Sequence, residues 1–227
     1  MLLWTIPLTI GAYLLGSVPT SYIAARLLRK VDLREYGSKA VSGSNLWHAG
    51  ARWAVVPAGI FDILKGMAPV AIASYVLHLP FWAQGVVGLA AIVGHNWSFY
   101  LGFCGGRGLS AMMGALAILA PLELAVFIGL WIAGVLFLRN SPLGAIGGAI
   151  AMPLVSLALG EPVELTWCLV AVLLLVIAKR LLPDRGTPIT DWRQVVLYRL
   201  FLDRDIADRD AWIHRPTSQA NEPPEKE

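Results

Sequence analysis

Leu109-Ser-Ala-Met-Met-Gly-Ala-Leu-Ala-Ile-Leu-Ala-Pro-Leu-Glu-Leu-Ala-Val-Phe-Ile-Gly-Leu-Trp-Ile-Ala-Gly-Val-Leu-Phe-Leu138 carries a single charged side chain, Glu123, and a single proline, Pro121. Read as one helix bent at Pro121, it crosses a bilayer once; read as two helices, Leu109–Ala120 and Leu122–Leu138, it crosses twice. The choice fixes on which side of the membrane every later loop falls. Outward from this stretch, charge-poor runs of about bilayer length recur at Leu2–Leu28, Trp53–Leu77, Pro80–Trp97, Pro142–Gly160 and Pro162–Ile177. The two readings therefore give six or seven spans.

Charge placement decides between them. With seven spans, Arg29, Lys30, Arg34, Lys39, Arg52, Arg107, Arg139, Lys179, Arg180 and Arg185 fall in or beside loops on one side. The opposite loops, near His78, Glu123 and Glu161 with Glu164, hold no Lys or Arg. Cytoplasmic loops collect positive charge, so the basic side is cytoplasmic, the N-terminus outside and the C-terminus inside. Six spans would export Arg139 and the basic tail. The expected fold is an all-α polytopic membrane protein, with seven transmembrane helices over residues 1–182 and a cytoplasmic tail over 183–227.

Composition agrees: 57% of the 227 residues are hydrophobic and 15% charged, far less charge than a soluble domain carries. Cys104 and Cys168 stand far apart without ligand spacing, which argues against a disulfide framework or a metal site. Met1–Ala25 lacks a basic leading region and reads as a retained helix rather than a signal peptide. In the tail, Asp and Arg alternate around Trp192, Val195, Val196, Leu200 and Phe201. An interfacial amphipathic helix and a solvated helix with nearly cancelling charges both fit. From Pro216 the Pro/Glu-rich end reads as disordered.

Two loops carry chemistry. The first, Val31 to Asn45, sets Ser38, Ser42 and Ser44 among glycines beside Lys39. Such a loop suits wrapping backbone N–H groups around an anion, and it equally suits an ordinary turn-rich connection. The second reads Gly94-His-Asn-Trp-Ser-Phe-Tyr-Leu-Gly-Phe-Cys-Gly-Gly-Arg-Gly108. It is apolar enough for membrane depth, but its glycines prevent a good helix, which points to a re-entrant loop lining a site. Arg107 then leads into a helix whose N-terminus favours a phosphate; a glycine-mediated helix crossing is the competing reading.

Within the spans, Ser17-Val-Pro19 should kink the first helix and free backbone groups, while Asp62 and Lys65 share one helical face. Intramembrane charges mark function or a self-neutralising pair that fixes packing. His48 and His95 are candidate bases or phosphate donors, and otherwise structural histidines.

Taken together, Gly16-Ser-Val-Pro19, Asp32-Leu-Arg34 leading to Gly37-Ser38, Ser44-Asn45, Asp62-Ile-Leu-Lys-Gly66, Gly94-His95, Leu101-Gly-Phe103, Gly105-Gly-Arg-Gly108 and Leu143-Gly144 resemble the bacterial PlsY family. These are membrane acyltransferases that make lysophosphatidic acid from acyl phosphate and glycerol 3-phosphate. The resemblance covers most of residues 11–182. It implies acyl phosphate and glycerol 3-phosphate as substrates, contact with membrane lipids, a role in phospholipid synthesis, and no nucleic acid, metal or cofactor. It also implies catalytic roles for Ser38, His95 and Arg107, and phosphate binding by Lys39, Ser44, Asn45, His48, Gly105, Gly106, Gly108 and Arg180.

Acyl phosphate is already activated, so positioning and charge stabilisation suffice without a protein nucleophile. The chain departs from the family pattern at Lys39, Ala40 and Ser42, which stand for Gly, Asn and Gly, and at His48, which stands for an arginine. Cys104 and Arg107 replace two lysines, Pro142 and Ala145 replace serines, and Arg180 and Pro183 stand for a histidine and an asparagine. Lys39, Lys179 and Arg180 restore positive charge by another route. The alternative is a non-catalytic or re-specialised paralogue that binds a phosphorylated lipid precursor.

Overall fold

The computed structural model describes residues 2–182, 192–208 and 212. The chain forms α1 (Thr5–Gly16), α2 (Thr20–Arg29), a short α3 (Gly43–His48), α4 (Val55–Ala71), α5 (Phe81–Asn96), α6 (Leu109–Leu119), α7 (Pro121–Leu136), α8 (Ser141–Ala158), α9 (Val163–Leu181) and α10 (Trp192–Leu202). Among the described residues there is no strand, only an isolated antiparallel bridge between Ser98 and Cys104.

The first apolar run breaks where expected. Pro19 has no N–H to continue the ladder, so α1 ends at Gly16 and α2 starts at Thr20. The pair still forms an apolar segment long enough to cross a membrane, Thr5–Arg29, as do Arg52–Val76 and Ser141–Ala158.

The stretch from Leu109 to Leu138 separates into two helices. Ala120 has φ −152° and ψ 61°, outside the helical region, and Pro121 occupies the first turn of α7, where its missing N–H costs nothing. The two helices also choose different neighbours: α6 packs on α4 and α5, and α7 pairs with α8. At about 1.5 Å rise per residue α6 covers only about half of a hydrocarbon core.

The main core lies among α6, α7, α8 and α9, around Met112, Leu116, Phe127, Met152 and Leu169. Outside it the usual polarity is inverted, with Ile6, Trp53, Val56, Phe137, Leu157 and Trp167 all more than 60% exposed. An apolar exterior on this scale is what lipid tails cover. Small residues let the helices approach: a Cβ on Gly66 of α4 would strike the Ala111 carbonyl, and one on Gly114 of α6 the Ile63 carbonyl.

The tail helix α10 rests against α8 and α9, with Leu200 on the main core. The expected disordered end from Pro216 lies outside the described residues.

Candidate active site

The break between α1 and α2 leaves the Ser17 and Val18 carbonyls without a helical partner, and distant side chains take them. Ser98 Oγ donates to Ser17 O at 2.5 Å, and Lys65 Nζ to Val18 O at 2.8 Å. Lys65 also pairs with Asp62 Oδ1 at 2.8 Å, and Thr20 Oγ1 donates to the same oxygen at 2.6 Å. Asp62 and Lys65 are almost wholly buried. His95 Nδ1 lies 3.7 Å from Asp62 Oδ1, buried and without a hydrogen-bond partner. A cavity opens over this network, lined by Ser17, Thr20, Asp62, Lys65, His95 and Gly106, among others.

The glycine loop forms the next wall. It is irregular beyond α5, as its glycines predict, and Gly106 N–H donates back to the His95 carbonyl at 3.0 Å. A Cβ on Gly106 would collide with His95 Nε2 and the Val41 carbonyl. Gly108, at φ +79°, caps α6 in the left-handed region and presses against Asn96, so a side chain there would be strained and crowded. Val41 N–H reaches Gly105 O at 3.4 Å, and Val41, Leu101 and Cys104 cluster with Tyr22, which joins the first loop to the second.

On the far side of the glycine loop stands a group of arginines. Arg107 Nη1 donates to Lys179 O at 3.3 Å, and its Nε lies 3.1 Å from Asp203 Oδ2. Arg180 donates to the carbonyls of Leu200 and Pro142. Arg199 Nη1 donates to Leu181 O at 3.0 Å, and its Nε to Asp205 at 2.6 Å. Apart from Pro142 O, in the first turn of α8, these carbonyls lie at the C-terminal ends of α9 and α10, where helices carry unpaired acceptors and partial negative charge. Lys179 holds its ammonium 5.3 Å from the Trp97 ring centroid.

The first loop is tied down by its own groups. Asp32 accepts from Arg34 N–H at 2.9 Å, Nε at 3.0 Å and Nη2 at 2.7 Å, and Tyr22 OH lies 3.3 Å away. The Arg34 guanidinium holds the Asp32 carboxyl below the usual carboxylate range, and Asp32 in turn raises the pKa of Arg34. Asn45 is 1% exposed and turns its amide NH2 to the carbonyls of Leu33, Tyr36 and Ala40.

Ser38 Oγ accepts from Ala40 N–H at 3.4 Å, and Lys39 sits at φ +60°. Ser44 is exposed and bonds Ser42 at 3.1 Å. His48 is exposed at the end of α3, its carbonyl accepting from Tyr36 OH.

The structure thus brings His95, Gly105 and Gly106 to the cavity, and Arg107 and Arg180 to the adjoining cluster, with Gly108 on the loop between. Ser38, Lys39, Ser44, Asn45 and His48 do not line the cavity. The amide of Asn45 is engaged in shaping the loop. Sequence reasoning missed Thr20 and Ser98, although both lie inside the segments it singled out, Thr20 just after Pro19 and Ser98 three residues beyond His95. It also missed Arg199, Asp203 and Asp205, whose roles depend on where α10 docks.

Comparison with known proteins fits this geometry. A family model described as glycerol-3-phosphate acyltransferase matches residues 6–182. Glycerol-3-phosphate acyltransferase 5 of Dehalococcoides mccartyi is 35% identical over 225 residues, covering 96% of this chain and 96% of the relative. The glycerol-3-phosphate acyltransferase of Tolumonas auensis is 38% identical over 175 residues, 75% of this chain and 85% of its own length. The crystal structure of PlsY (YgiH), an integral membrane glycerol 3-phosphate acyltransferase, in its glycerol 3-phosphate form, superposes with a TM-score of 0.72 at 30% identity. That match covers 78% of this chain and 88% of the other. The chain belongs to the glycerol-3-phosphate acyltransferase family.

Proposed function

We propose that this protein transfers an acyl group from acyl phosphate to glycerol 3-phosphate, giving lysophosphatidic acid for phospholipid synthesis. The observation that carries the reading is the placement of the Gly105–Gly108 loop. It lies between a cavity holding His95, Asp62 and Lys65 and a cluster holding Arg107 and Arg180. Two phosphates and a reacting hydroxyl need such an arrangement: cationic groups on one side, a proton acceptor on the other, and backbone close to both.

In this reading the glycerol hydroxyl oxygen attacks the acyl carbonyl carbon, a new C–O ester bond forms, and the C–O bond to phosphate breaks. His95 receives the hydroxyl proton through Nε2, the ring nitrogen turned to the glycine loop, while Nδ1 faces Asp62, and the proton ends on the departing phosphate. Arg107, Ser38 and the N–H groups of the glycine loop stabilise the charge that builds on the acyl phosphate. Lys39, Ser44 and His48, outside the cavity, and Arg180, in the cluster beside it, contribute positive charge and donors, and Asn45 keeps the first loop in shape. The apolar helix surfaces take the acyl chain.

Seven crossings, with the N-terminus outside and the site facing the cytoplasm of a bacterial cell, follow from the loop charges. The separation of α6 from α7 supports that count.

The test supplies purified protein in detergent with acyl phosphate and glycerol 3-phosphate and follows lysophosphatidate and inorganic phosphate together. The expected result is product from the wild type and a loss of about 100-fold or more in Arg107→Ala, as for removal of a charge-stabilising donor. Wild-type product no higher than the Arg107→Ala level overturns the enzyme reading. Retained glycerol 3-phosphate binding without product would instead identify a re-specialised paralogue.

A further inference from the structure

The tail helix α10 lies beyond the residues that match the family model, yet one of its flanking residues holds the arginine of the glycine loop. We infer that Asp203 is a positioning residue for Arg107, so that the tail completes the acyltransfer site. This rests on the function proposed above.

Arg107 sits between Gly106 and Gly108, and the left-handed φ of Gly108 turns the chain sharply behind it. A long side chain on such a backbone needs outside anchors to present its guanidinium in one orientation. It has two: Nη1 donates to Lys179 O and Nε faces Asp203 Oδ2. Pairing through Nε leaves Nη2 with no partner among the described residues. Nε and Nη1 belong to different edges of the guanidinium, so both edges are tethered and the N–H groups of Nη2 remain for an anionic ligand.

The backbone that carries the carboxylate is fixed. Asp203 N–H donates to Arg199 O at 3.2 Å, and its φ of +53° turns the chain at the end of α10. Arg199 is in turn bonded to Leu181 O and Asp205, Arg180 to Leu200 O, and Leu200 packs on the main core. Two hydrogen bonds and the packing of Leu200 therefore hold Asp203 relative to the end of α9, the element that also supplies the other anchor of Arg107.

Two roles for this carboxylate make opposite predictions. A carboxylate that merely competes with phosphate for Arg107 weakens anion binding, so its removal should tighten it. A carboxylate that orients Arg107 does the reverse. The test uses the full chain in detergent as wild type, Asp203→Asn, Asp203→Glu, Arg107→Lys and the double variant Arg107→Lys/Asp203→Asn. It measures kcat and KM for glycerol 3-phosphate with acyl phosphate, and glycerol 3-phosphate binding by calorimetry.

We expect Asp203→Asn to lower kcat/KM about tenfold, the scale of a small misplacement of a catalytic group. We also expect weaker glycerol 3-phosphate binding, with partial recovery in Asp203→Glu. In the Arg107→Lys background, which lacks an Nε–H edge, Asp203→Asn should change little. Equal or stronger binding and turnover in Asp203→Asn overturns the inference, as does an equal loss in the lysine background. If Asp203→Asn does not fold, Asp203→Glu carries the test through its binding constant in both backgrounds. A wild type without turnover overturns the proposed function alone, and the binding comparison then decides the role of Asp203. A wild type that does not bind glycerol 3-phosphate overturns both.

Discussion

Two cation–carboxylate pairs of similar length stand on either side of the glycine loop, and they differ in nearly everything else. Lys65–Asp62, at 2.8 Å, joins two residues one turn apart inside α4, with side chains 2% and 8% exposed. Arg107–Asp203, at 3.1 Å, joins a loop to the tail, with side chains 23% and 22% exposed. The first pair is bound into the fold: Lys65 also holds the carbonyl freed by the helix break, and Thr20 holds the carboxylate. Breaking such a pair leaves a charge buried without compensation. The second pair keeps solvent access, where an ion pair contributes little to stability and orientation becomes its main effect. Pair length alone therefore says little about what a charge pair does.

Lys65→Met has the largest expected effect. It strips Asp62 of its counter-ion and should lower stability in detergent by about 3–5 kcal/mol, read by thermal unfolding. The double variant Asp62→Leu/Lys65→Met should recover much of that loss, because no unpaired charge remains. Asp203→Asn should shift the same unfolding transition by less than about 1 kcal/mol. A large stability loss there would erase the distinction between the two regions.

Gly106→Ala tests the wall between them. Its Cβ meets His95 Nε2 and the Val41 carbonyl, so about 1–3 kcal/mol of destabilisation is expected, together with a fall in turnover. Ser98→Ala removes the hydrogen bond that takes the Ser17 carbonyl. It should cost about 1–2 kcal/mol, because that carbonyl is left unpaired.

Another modest effect lies in the first loop. The folded pKa of Asp32 is depressed, chiefly by hydrogen bonding to Arg34. The stability it contributes is present above the unfolded carboxylate value and is lost as pH falls through the folded one. Wild type and Asp32→Asn should therefore differ by about 1 kcal/mol at neutral pH, and the gap should close under acid, as followed by unfolding across a pH series.

Much of the fold was legible because the signals are local. Run lengths and prolines marked α1 with α2, α4, α5, α8 and α9 to within a few residues, and Pro121 marked the boundary between α6 and α7. In the site, the glycine loop and its Arg107 were legible too, since several glycines in an apolar segment exclude a helix. Asn45 shows the limit. A polar residue beside Ser44 reads as a ligand, but the carbonyls of Leu33, Tyr36 and Ala40 converge on its amide only once the loop has closed.

Where the chain is helical, where it breaks and which loops are basic could all be read from its amino acids, because each depends on residues close together in the chain. That Lys65 and Ser98 answer the carbonyls freed by the break in the first helix, and that Asp203 reaches Arg107, emerges from the folded chain. Those partners are separated by 47, 81 and 96 positions in the sequence. No local pattern encodes them; they follow from how the helices pack and from the cost of leaving a polar group unpaired away from water.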